Sequence, residues 1–375
     1  MTIREIEAKS ILRKHKKIDS WFLSRYGMNL YRGCTHNCVY CDGRSEGYYV
    51  EGEFGEDVAV KTNAIEILKK ELDPQRKRVP LKQGYIILGG GVGDSYQPVE
   101  KKYQLSRKAL QLIQKYGFPV HILTKSTLIE RDIDIIKKIN EQNRAIVSFS
   151  FSSADDKISA IFEPGVPSPS ERLKTIASFK NEGIACGIFL LPAIPFITDK
   201  PETLEETIKK ASEANVDFVI FGGMTLKQGK QQDYFFNLLK KTYPSLIQRY
   251  QNIYLDDKWG NATAGYYKTI NSNFNKIIKK YRIPKRMPPK LYRDILDEND
   301  LVIVILEHID YLLKSEGKSS PFGYAAYSIS KLKEPLLNMR EKLQNIKGVG
   351  KTIEHIILEI LDTGNSSLYE KLLRE

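Results

Sequence analysis

The chain has 375 residues, of which 41% are hydrophobic and 28% are charged, proportions that are ordinary for a soluble globular protein. Its four cysteines are too few for a disulfide scaffold and indicate a reducing compartment. The start Met1–Glu5 predicts a charged helix rather than a signal peptide, and no apolar run approaches the ~20 residues of a membrane span. We therefore expect a cytoplasmic protein with no membrane partner.

The net charge of +12 favours polyanionic partners through long-range attraction, although it does not identify one. The surplus belongs to residues 1–295, which carry +15, whereas residues 296–375 carry −3. Basic clusters stand at 13–17, 76–78 and 279–290. These clusters are equally compatible with solvated helix ends and with a groove for nucleic acid.

Residues 1–28 predict a basic helical lead-in, after which three cysteines follow at C-x3-C-x2-C spacing. Thiolates this close cannot all pair as disulfides, but they can surround one inorganic centre from a tight loop. Three soft ligands suit an iron–sulfur cluster, in which the missing fourth cysteine leaves one iron open. The alternative is a structural zinc site, with His36 inside the motif and Cys186 as a distant fourth ligand. The clustered cysteines are Cys34, Cys38 and Cys41.

The stretch from Asn29 to Cys41 resembles the cluster loop of the radical S-adenosylmethionine (SAM) superfamily, most closely the branch that contains spore photoproduct lyase. The resemblance implies two cofactors, a [4Fe–4S] cluster on the three cysteines and SAM on the open iron. In that family the reduced cluster cleaves SAM to methionine and a 5′-deoxyadenosyl radical, which implies an electron donor such as ferredoxin or flavodoxin. Tyr40, just before the third cysteine, fits the family pattern and is a candidate cofactor-binding residue.

Beyond the cysteine loop, apolar runs typical of buried strands alternate with segments of helical periodicity. Near-continuous apolar strands separated by helices indicate a parallel sheet with the helices outside. About six such units fit before residue 240, so we predict an α/β fold, a partial (β/α)6 TIM-type barrel with its active site at the carboxyl ends of the strands. The predicted strands are 84–88, 119–123, 145–150, 184–191 and 218–221, and the predicted helices are 63–72, 128–139, 170–182 and 204–214.

Polar residues follow the predicted strands where the resemblance places the SAM site. The glycine-rich segment Gly89–Pro98 follows the second strand, and the resemblance sets it against the SAM amino group, where glycine lets the backbone approach closely. Lys125 matches a lysine that contacts the SAM carboxylate, and Ser150 matches a serine that meets the ribose or the carboxylate. The candidate cofactor-binding residues at these strand ends are Gly90, Gly91, Asp94, Lys125, Ser148 and Ser150.

Other features bear on the radical reaction and on the resemblance to the spore photoproduct lyase branch. Tyr96 is a candidate catalytic residue, as a radical relay, although it is one of 21 tyrosines. Spore photoproduct lyase uses an additional cysteine after its cluster loop as a hydrogen donor, but no cysteine lies between Cys41 and Cys186 here. We therefore do not expect the lyase's own reaction, and we interpret Cys186 as a small buried hydrophobic residue. Two further stretches that resemble the branch, Phe162–Gly165 and Leu191–Pro195, are interpreted as architecture.

Three prolines interrupt residues 281–295, which we interpret as a basic linker between a catalytic domain, 1–280, and a small all-α domain, 296–375. Leu343–Ile353 is a helix–hairpin–helix signature whose glycines free backbone amides to bind a phosphate. His308, in an apolar stripe of the same region, is interpreted as a core histidine. The candidate nucleic-acid-binding residues of the hairpin are Lys347, Gly348, Gly350 and Lys351.

The setting of the hairpin resembles the N-terminal domain of family X DNA polymerases, which binds DNA at gaps. Some members excise sugar remnants with a lysine just after a Thr-Gly pair, but Asn365–Leu368 provides no lysine there, so we predict no lyase activity from this domain. The alternative for the domain is a packing or protein–protein module.

Together these observations favour an enzyme that reductively cleaves SAM at a [4Fe–4S] cluster and abstracts hydrogen from a nucleic acid. Repair or modification of DNA is preferred, because the barrel branch and the hairpin domain both point to DNA, and RNA stays open. One alternative is a radical SAM enzyme that acts on a protein substrate. The other is a non-catalytic nucleic-acid-binding protein that contains a structural metal.

Overall fold

The structure is a computed structural model that describes residues 2–48, 50, 52–76, 79–255 and 257–374. Lys77 and Arg78, which belong to one predicted basic cluster, lie outside the described residues. Strands of the described part form two sheets. They are Ile3–Ile6 (β1), Leu12–Asp19 (β2), Ser24–Met28 (β3), Tyr31–Arg32 (β4), Val58–Lys61 (β5), Tyr85–Leu88 (β6), Val120–Thr124 (β7), Ala145–Phe151 (β8), Ala185–Ala193 (β9) and Phe218–Gly223 (β10).

The larger sheet has the strand order β10-β9-β8-β7-β6-β3-β2, and the smaller sheet has the order β1-β5-β4. From β10 to β3 all neighbours in the larger sheet are parallel, whereas β2 pairs antiparallel with β3 at the edge. The carboxyl ends of the six parallel strands therefore lie on one side of the sheet, where their loops collect. The predicted α/β fold with a partial six-stranded barrel is confirmed.

Helices cover the outer face of this sheet. On α3, for example, Leu105, Ala109 and Ile113 recur at helical spacing and are buried against the sheet. No helix within the described ranges is long and apolar enough to cross a membrane. The helices are Ala64–Leu72 (α1), Glu100–Tyr103 (α2), Leu105–Tyr116 (α3), Ile133–Gln142 (α4), Asp156–Phe162 (α5), Pro169–Asn181 (α6), Pro201–Glu213 (α7), Lys230–Thr242 (α8), Ile247–Ile253 (α9), Ala264–Tyr281 (α10), Glu298–Ser315 (α11), Phe322–Ile329 (α12), Lys351–Thr363 (α13) and Ser367–Arg374 (α14).

The predicted helix at residues 1–28 is wrong, because this segment forms β1, β2 and β3. In β3 the buried residues Ser24, Tyr26 and Met28 alternate with half-buried ones, which is the periodicity of a strand. The basic run lies on β2, where an edge strand leaves lysine side chains in solvent. β3 pairs with the adjacent β2 and, on its other side, with β6, which is distant in sequence, so the local charge pattern did not reveal the sheet.

The predicted strands and the helices near 63–72, 170–182 and 204–214 are present with small shifts at their ends. The predicted helix 128–139 begins instead as a 3-10 turn, Thr127–Asp132, and is α-helical only from Ile133. Ser126 caps this turn, since its side chain accepts a hydrogen bond from Leu128 N.

The C-terminal helices pack on the inner face of the sheet and share one apolar core with it. Tyr85, Phe189 and Phe218 on the strands belong to the same buried cluster as residues on every side of α11. A helix that is apolar all round needs such burial on all sides. The segment 281–295, which its prolines and charges predicted to be a basic linker, is partly buried in this packing. Its residues Lys285, Arg286, Met287 and Tyr292 are at most 4% exposed.

His308 on α11 connects the two parts of the chain, as its interpretation as a core histidine implies. Its Nδ1 lies 2.8 Å from the Tyr369 hydroxyl, and its Nε2 lies 2.8 Å from the carbonyl oxygen of Ser20 in the turn between β2 and β3. Arg25 on β3 also pairs with Asp300 on α11. The C-terminal helices are thus fastened to the barrel by polar contacts as well as by apolar packing.

Candidate active site

The cysteine loop follows the short strand β4 and lies beside the carboxyl ends of the parallel strands. Cys34 and Cys38 are buried, Cys41 is half-buried, and all three are free thiols. Burial raises the pKa of the Cys34 thiol to about 12, with the nearby Asp94 carboxylate adding to the rise. Burial also raises the pKa of Cys38 and Cys41. The loop therefore holds thiols that ionise only if a positive centre compensates for the lost water.

Hydrogen bonds from other elements hold the loop in place. Val39 N donates to the carbonyl oxygen of Phe162 at 2.8 Å, which ties the loop to the end of α5. Arg44, in the short 3-10 turn that follows the cysteine loop, donates from Nε to the carbonyl oxygen of Cys38 at 3.2 Å. On the other side, Gln231 Nε2 on α8 donates to the carbonyl oxygen of Tyr40 at 2.9 Å. The cysteines are thus positioned by three separate parts of the fold before any ligand binds.

A cavity of about 420 Å³ lies between the cysteine loop and the strand ends. The three thiols form one side of it, and the loops after β6, β7 and β10 form the others. Its volume suits a small molecule, and its walls combine apolar surface with a few polar groups, as ligand sites usually do. The lining residues that the sequence predicted are Cys34, Cys38, Cys41, Tyr40, Gly90, Gly91, Asp94, Lys125 and Ser150.

The residues present fit an iron–sulfur cluster better than a zinc ion. Both ring nitrogens of His36 face protein oxygens, Gly165 O at 2.9 Å and Asp94 Oδ2 at 3.1 Å, so neither is turned toward a metal. Cys186 is fully buried on β9, with its Sγ 3.6 Å from the carbonyl oxygen of Ile184. Among the described residues, no three His, Cys, Asp or Glu side chains converge as ligands of one ion do. In a four-iron cluster each cysteine binds a different iron, so its ligands stand further apart.

Lys125, just after β7, points its ammonium group at two partners on other elements. Its Nζ donates to Ser150 Oγ on β8 at 2.7 Å and to Glu163 Oε1 at 3.2 Å. Tyr40 OH donates to the same Glu163 oxygen. An ammonium group has three donors, so one N–H of Lys125 is left for a ligand in the cavity.

Glu163 is a residue of this site that the sequence did not single out. Although burial opposes its ionisation, Arg172 and Lys125 hold the pKa of the Glu163 carboxyl well below its usual range. Arg172 Nη2 donates to Glu163 Oε2 at 2.7 Å, and both side chains are fully buried. The stretch Phe162–Gly165 resembled the family but was interpreted as architecture. The available signal was a carboxylate inside this family-like stretch, which the structure places directly after α5.

Asp94 lines the cavity, but protein donors occupy its carboxylate. Thr124 Oγ1 donates to Asp94 Oδ1 at 2.8 Å, and Lys125 N donates to Asp94 Oδ2 at 2.7 Å. His36 contacts it from the cysteine loop. Burial opposes ionisation, yet the hydrogen bond from His36 and its neighbours lowers the pKa of Asp94. Asp94 therefore ties the glycine-rich loop, β7 and the cysteine loop together.

The glycine-rich loop needs glycine at its start and leaves its middle open. Gly89 has a φ of +83°, and a Cβ there would lie 2.0 Å from the carbonyl oxygen of Leu123. At Gly91 a Cβ would meet nothing within 4 Å, so this backbone faces open space in the cavity. The loop can thus present its main chain to a ligand in the cavity.

Two predicted site residues do not line this cavity. Tyr96 is fully buried, and its hydroxyl donates to Asp132 Oδ2 at 3.1 Å, away from the thiols. Ser148 is also fully buried, and its Oγ lies 2.8 Å from His121 Nε2. In β8 only Ser150, two residues further toward the carboxyl end, reaches the cavity. A strand brings only its last inward-facing residue to the site, which the sequence spacing could not show.

The predicted hairpin residues lie in the turn before α13 and at its first residue, and they do not line the cavity. Lys347 and Lys351 are exposed, and Gly348 has a φ of +86° in the turn before α13. A Cβ on Gly348 would lie 2.5 Å from the Tyr324 ring, so glycine is needed there. Gly350 is the N-cap residue of α13, and no side chain accepts a hydrogen bond as a cap at this end of the helix.

A larger cavity of about 1020 Å³ adjoins the first across the glycine-rich loop. Residues 89–94 line both cavities. Its other wall is the basic strand β2, on which Arg13, Lys14 and Lys16 are exposed. Trp21, in the turn after β2, also lines this cavity and is 38% exposed. We call this larger cavity the basic groove.

Comparison with known proteins identifies a family and relatives that the chain resembles. Residues 28–211 match the family described as the radical SAM superfamily. An uncharacterized protein of Mycobacterium tuberculosis is 30% identical over 287 residues, which cover 76% of this chain and 82% of that protein. An uncharacterized protein of Methanocaldococcus jannaschii is 29% identical over 258 residues, which cover 68% of this chain and 87% of that protein.

Solved structures share the fold at low sequence identity. Spore photoproduct lyase complexed with dinucleoside spore photoproduct has a TM-score of 0.54 at 16% identity, with 74% of this chain and 79% of that chain covered. A double mutant of the same lyase with bound AdoMet and dinucleoside spore photoproduct has a TM-score of 0.51 at 17% identity, with 72% and 78% covered.

Proposed function

The chain belongs to the radical SAM superfamily, which uses a [4Fe–4S] cluster and SAM. We propose that it is an enzyme that acts on nucleic acid, and the version that we favour is repair or modification of DNA. When bound, the cluster supplies the electron that cleaves SAM, and the protein binds, orients and shields the reactants. The electron itself comes from a donor such as ferredoxin or flavodoxin.

Cys34, Cys38 and Cys41 hold the cluster in this proposal. They are free thiols on one side of the cavity, and the loop that carries them is fixed by three other parts of the fold. Burial disfavours their ionisation in the absence of a positive centre, and coordination to iron supplies that centre. The set provides three ligands and leaves room in the cavity for a further one.

The opposite side of the cavity binds SAM in this proposal. Lys125 offers its remaining N–H to the SAM carboxylate, and Glu163 and Ser150 fix the direction of its ammonium group. The open backbone at Gly91 receives the amino group or the ribose. Tyr40, held by its bond to Glu163, closes the cavity beside the third cysteine and limits access of water.

The observation that carries the nucleic-acid substrate is the continuity of the basic groove with the SAM cavity. The exposed Arg13, Lys14 and Lys16 provide positive charge along a channel that ends at the glycine-rich loop. A polyanionic backbone in this groove places a nucleoside at the cavity mouth. A solved structure with this fold, spore photoproduct lyase, is complexed with dinucleoside spore photoproduct, which supports the DNA version. Lys347, Gly348, Gly350 and Lys351 form a second, hairpin contact with the phosphate backbone in this proposal.

The first experiment tests the SAM chemistry. The protein is reconstituted with iron and sulfide under anaerobic conditions, reduced, given SAM and assayed for 5′-deoxyadenosine. We expect product from the wild type and none from Cys38→Ala. Cys186→Ala is the matched control, since this cysteine is buried on β9 outside the cavity, and it should retain the activity. Reconstituted wild type that holds four irons but forms no 5′-deoxyadenosine would contradict the proposal.

The second experiment tests the substrate class. Lesion-containing duplex, gapped duplex and single-stranded DNA, with RNA of the same sequence, are titrated at several salt concentrations. We expect affinity that falls steeply with salt and stimulation of 5′-deoxyadenosine formation by the true substrate class. An enzyme that cleaves SAM but binds no nucleic acid even at low salt would favour a protein substrate instead.

A further inference from the structure

Trp21 is one of two tryptophans in the chain, and it stays partly exposed where two cavities meet. It lies in the turn between β2 and β3 and lines the basic groove. It also lines a neighbouring cavity of about 550 Å³ between that turn and α11. An accessible indole in a concave surface is a frequent anchor for a binding partner, and the functions considered so far do not use this one.

Hydrogen bonds fix the turn that carries Trp21. Its backbone N–H donates to Asp19 Oδ1 at 2.9 Å. The preceding residue, Ser20, donates from Oγ to Glu307 Oε2 at 2.6 Å, and its carbonyl oxygen lies 2.8 Å from His308 Nε2. Both Glu307 and His308 belong to α11. Because the turn is held by its own residues and by this helix, a ligand that binds Trp21 need not order the backbone first.

The indole ring itself is supported by Arg286 and Tyr311. The guanidinium carbon of Arg286 lies 4.2 Å from the centre of the Trp21 ring, which is a cation–π contact. The Tyr311 ring meets the indole edge-on, with the two ring centres 6.0 Å apart. Arg286 is only 2% exposed, so this contact uses the buried side of the indole. The ring is thus held in one orientation while part of its surface stays accessible.

The charge of the basic groove changes along β2 toward Trp21. At the turn, Asp19 and Glu307 line the groove together with Trp21, and Glu307 already pairs with Lys17, so the positive surplus is smaller there. Phosphate groups are therefore attracted mainly to the cations further along β2, whereas an uncharged ring is not repelled by the carboxylates at the turn. Those exposed cations are Arg13, Lys14 and Lys16.

This arrangement resembles the way in which proteins bind single strands of nucleic acid. In such proteins a positively charged groove follows the backbone, and aromatic side chains stack on bases. A base inside a paired duplex has both faces covered by its neighbours, so it must leave the stack before a side chain can cover a face. An indole in a basic groove therefore selects a base that is unpaired.

We propose that Trp21 is a base-stacking residue that receives one unpaired base of a nucleic acid whose backbone lies along β2 in the basic groove. The inference rests on the proposed function for the presence of a nucleic acid, and it narrows the substrate to single-stranded, looped or locally unpaired regions. Trp21 and the glycine-rich loop line the same groove, so the stacked base sets which nucleotide along the strand reaches the SAM cavity.

The fluorescence of Trp21 measures the stack directly. In a Trp259→Phe background of the full-length reconstituted protein, Trp21 is the one tryptophan left in the sequence. It is titrated with an oligothymidylate, with a strand of the same length and backbone that lacks bases, and with a fully paired duplex. We expect saturable quenching by the oligothymidylate alone, and binding of this strand about tenfold tighter than binding of the baseless strand.

Variants separate stacking from charge. Trp21→Leu should remove the preference for the strand with bases, whereas Trp21→Phe keeps an aromatic face and should retain part of it. Neither variant should change the slope of log K against log salt, since no phosphate contact is lost. Trp259→Leu is the matched control, because Trp259 is 62% exposed but lines neither the groove nor the cavity beyond Trp21.

Fluorescence anisotropy with labelled strands gives these affinities and slopes. Equal affinity for strands with and without bases, together with unchanged Trp21 fluorescence, would overturn the stacking role and leave the nucleic-acid substrate in place. Quenching by the paired duplex as strong as that by the oligothymidylate would overturn the selection of an unpaired base. Absence of binding to every nucleic acid at low salt would refute the proposed substrate itself, so the two failures are distinct.

Discussion

Glu163 links the parts of the candidate site, because its carboxylate accepts hydrogen bonds from the cysteine loop, the end of β7 and α6. Its partners Tyr40 and Lys125 both line the cavity beside the cysteine loop, whereas Arg172 does not. Glu163 does not line the cavity itself. As a buried anion with two cationic partners, it positions the side chains that do. Removing the anion leaves Arg172 buried and without its carboxylate.

We expect Glu163→Gln to lower the free energy of unfolding by about 3 kcal/mol, since it breaks a buried ion pair. SAM should bind about tenfold more weakly, because Lys125 loses one of the partners that orient it. Urea unfolding and calorimetric SAM titration of the reconstituted protein measure the two effects. Glu171→Gln, on the exposed capping box of α6, is the control and should leave SAM binding unchanged. Unchanged SAM affinity in Glu163→Gln would remove Glu163 from the site.

His121 on β7 is the second residue with a measurable consequence. Burial lowers its pKa to about 4, and its Nδ1 lies 2.9 Å from the carbonyl oxygen of Phe22. A neutral ring must donate to that carbonyl from Nδ1, so Nε2 accepts from the hydroxyl of Ser148. This is a structural pair on the inner face of the sheet.

Acid should destabilise the fold through His121. The unfolded chain takes up a proton as the pH falls through about 6.5, whereas the folded state does so only near pH 4, so stability present above pH 6.5 is lost between these values. The loss amounts to about 3 kcal/mol at most. Urea midpoints from pH 7 to pH 4 should fall less steeply in His121→Gln than in the wild type. The same slope in both would contradict a neutral His121, and His355→Gln, exposed on α13, is the control.

At the scale of elements, the edge strand β2 combines two roles. It closes the sheet beside β3, and its exposed lysines form one wall of the basic groove. An edge strand with several lysines also resists pairing with other chains. A measurement of DNA binding tells whether the lysines of β2 bind the phosphate backbone or only protect the edge of the sheet.

Lys14→Ala combined with Lys16→Ala should weaken binding to DNA and reduce the slope of log K against log salt by about 2, one unit for each lost phosphate contact. Lys240→Ala with Lys241→Ala is the control, since these lysines are exposed on α8 and do not line the groove. Fluorescence anisotropy with labelled DNA at several salt concentrations gives both slopes. Equal slopes in the two double variants would leave β2 with its protective role alone.

At the scale of the whole molecule, the barrel and the C-terminal helices depend on one another. The inner face of the sheet buries Tyr85, Phe189 and Phe218 in the same cluster as α11, and Tyr85 OH donates to the carbonyl oxygen of Leu291. A barrel without these helices exposes these inner side chains. Residues of both parts, such as Trp21 in the turn after β2 and Tyr311 on α11, line a cavity of about 550 Å³ between them.

A chain that ends at residue 295 should therefore not form a stable barrel. Exposure of several large inner side chains costs on the order of 10 kcal/mol, which is comparable to the stability of a typical domain. Calorimetry of the full chain should show one unfolding transition that includes both parts. Two separate transitions, or a soluble and folded truncated barrel, would support the predicted division at 281–295 into independent domains.

The sequence by itself determined the parts of the site that depend on local order. The cysteine spacing, the glycine-rich turn, Lys125 and Ser150 all follow strands or loops whose pattern is visible in a short window, and the cavity contains them. It also determined the order of strands and helices from β6 to β10, because near-continuous apolar runs indicate buried parallel strands.

Only the tertiary structure decided the features that depend on distant partners. The strands at the N-terminus, the role of Glu163, the exclusion of Tyr96 and Ser148 from the cavity and the burial of Arg286 arise from contacts between residues far apart in the chain. Hydrogen bonds and burial depend on which elements meet in space, and local composition does not encode that meeting. Whether a lysine-rich run forms the wall of a groove or a solvated helix can therefore be decided only when its neighbours in space are known.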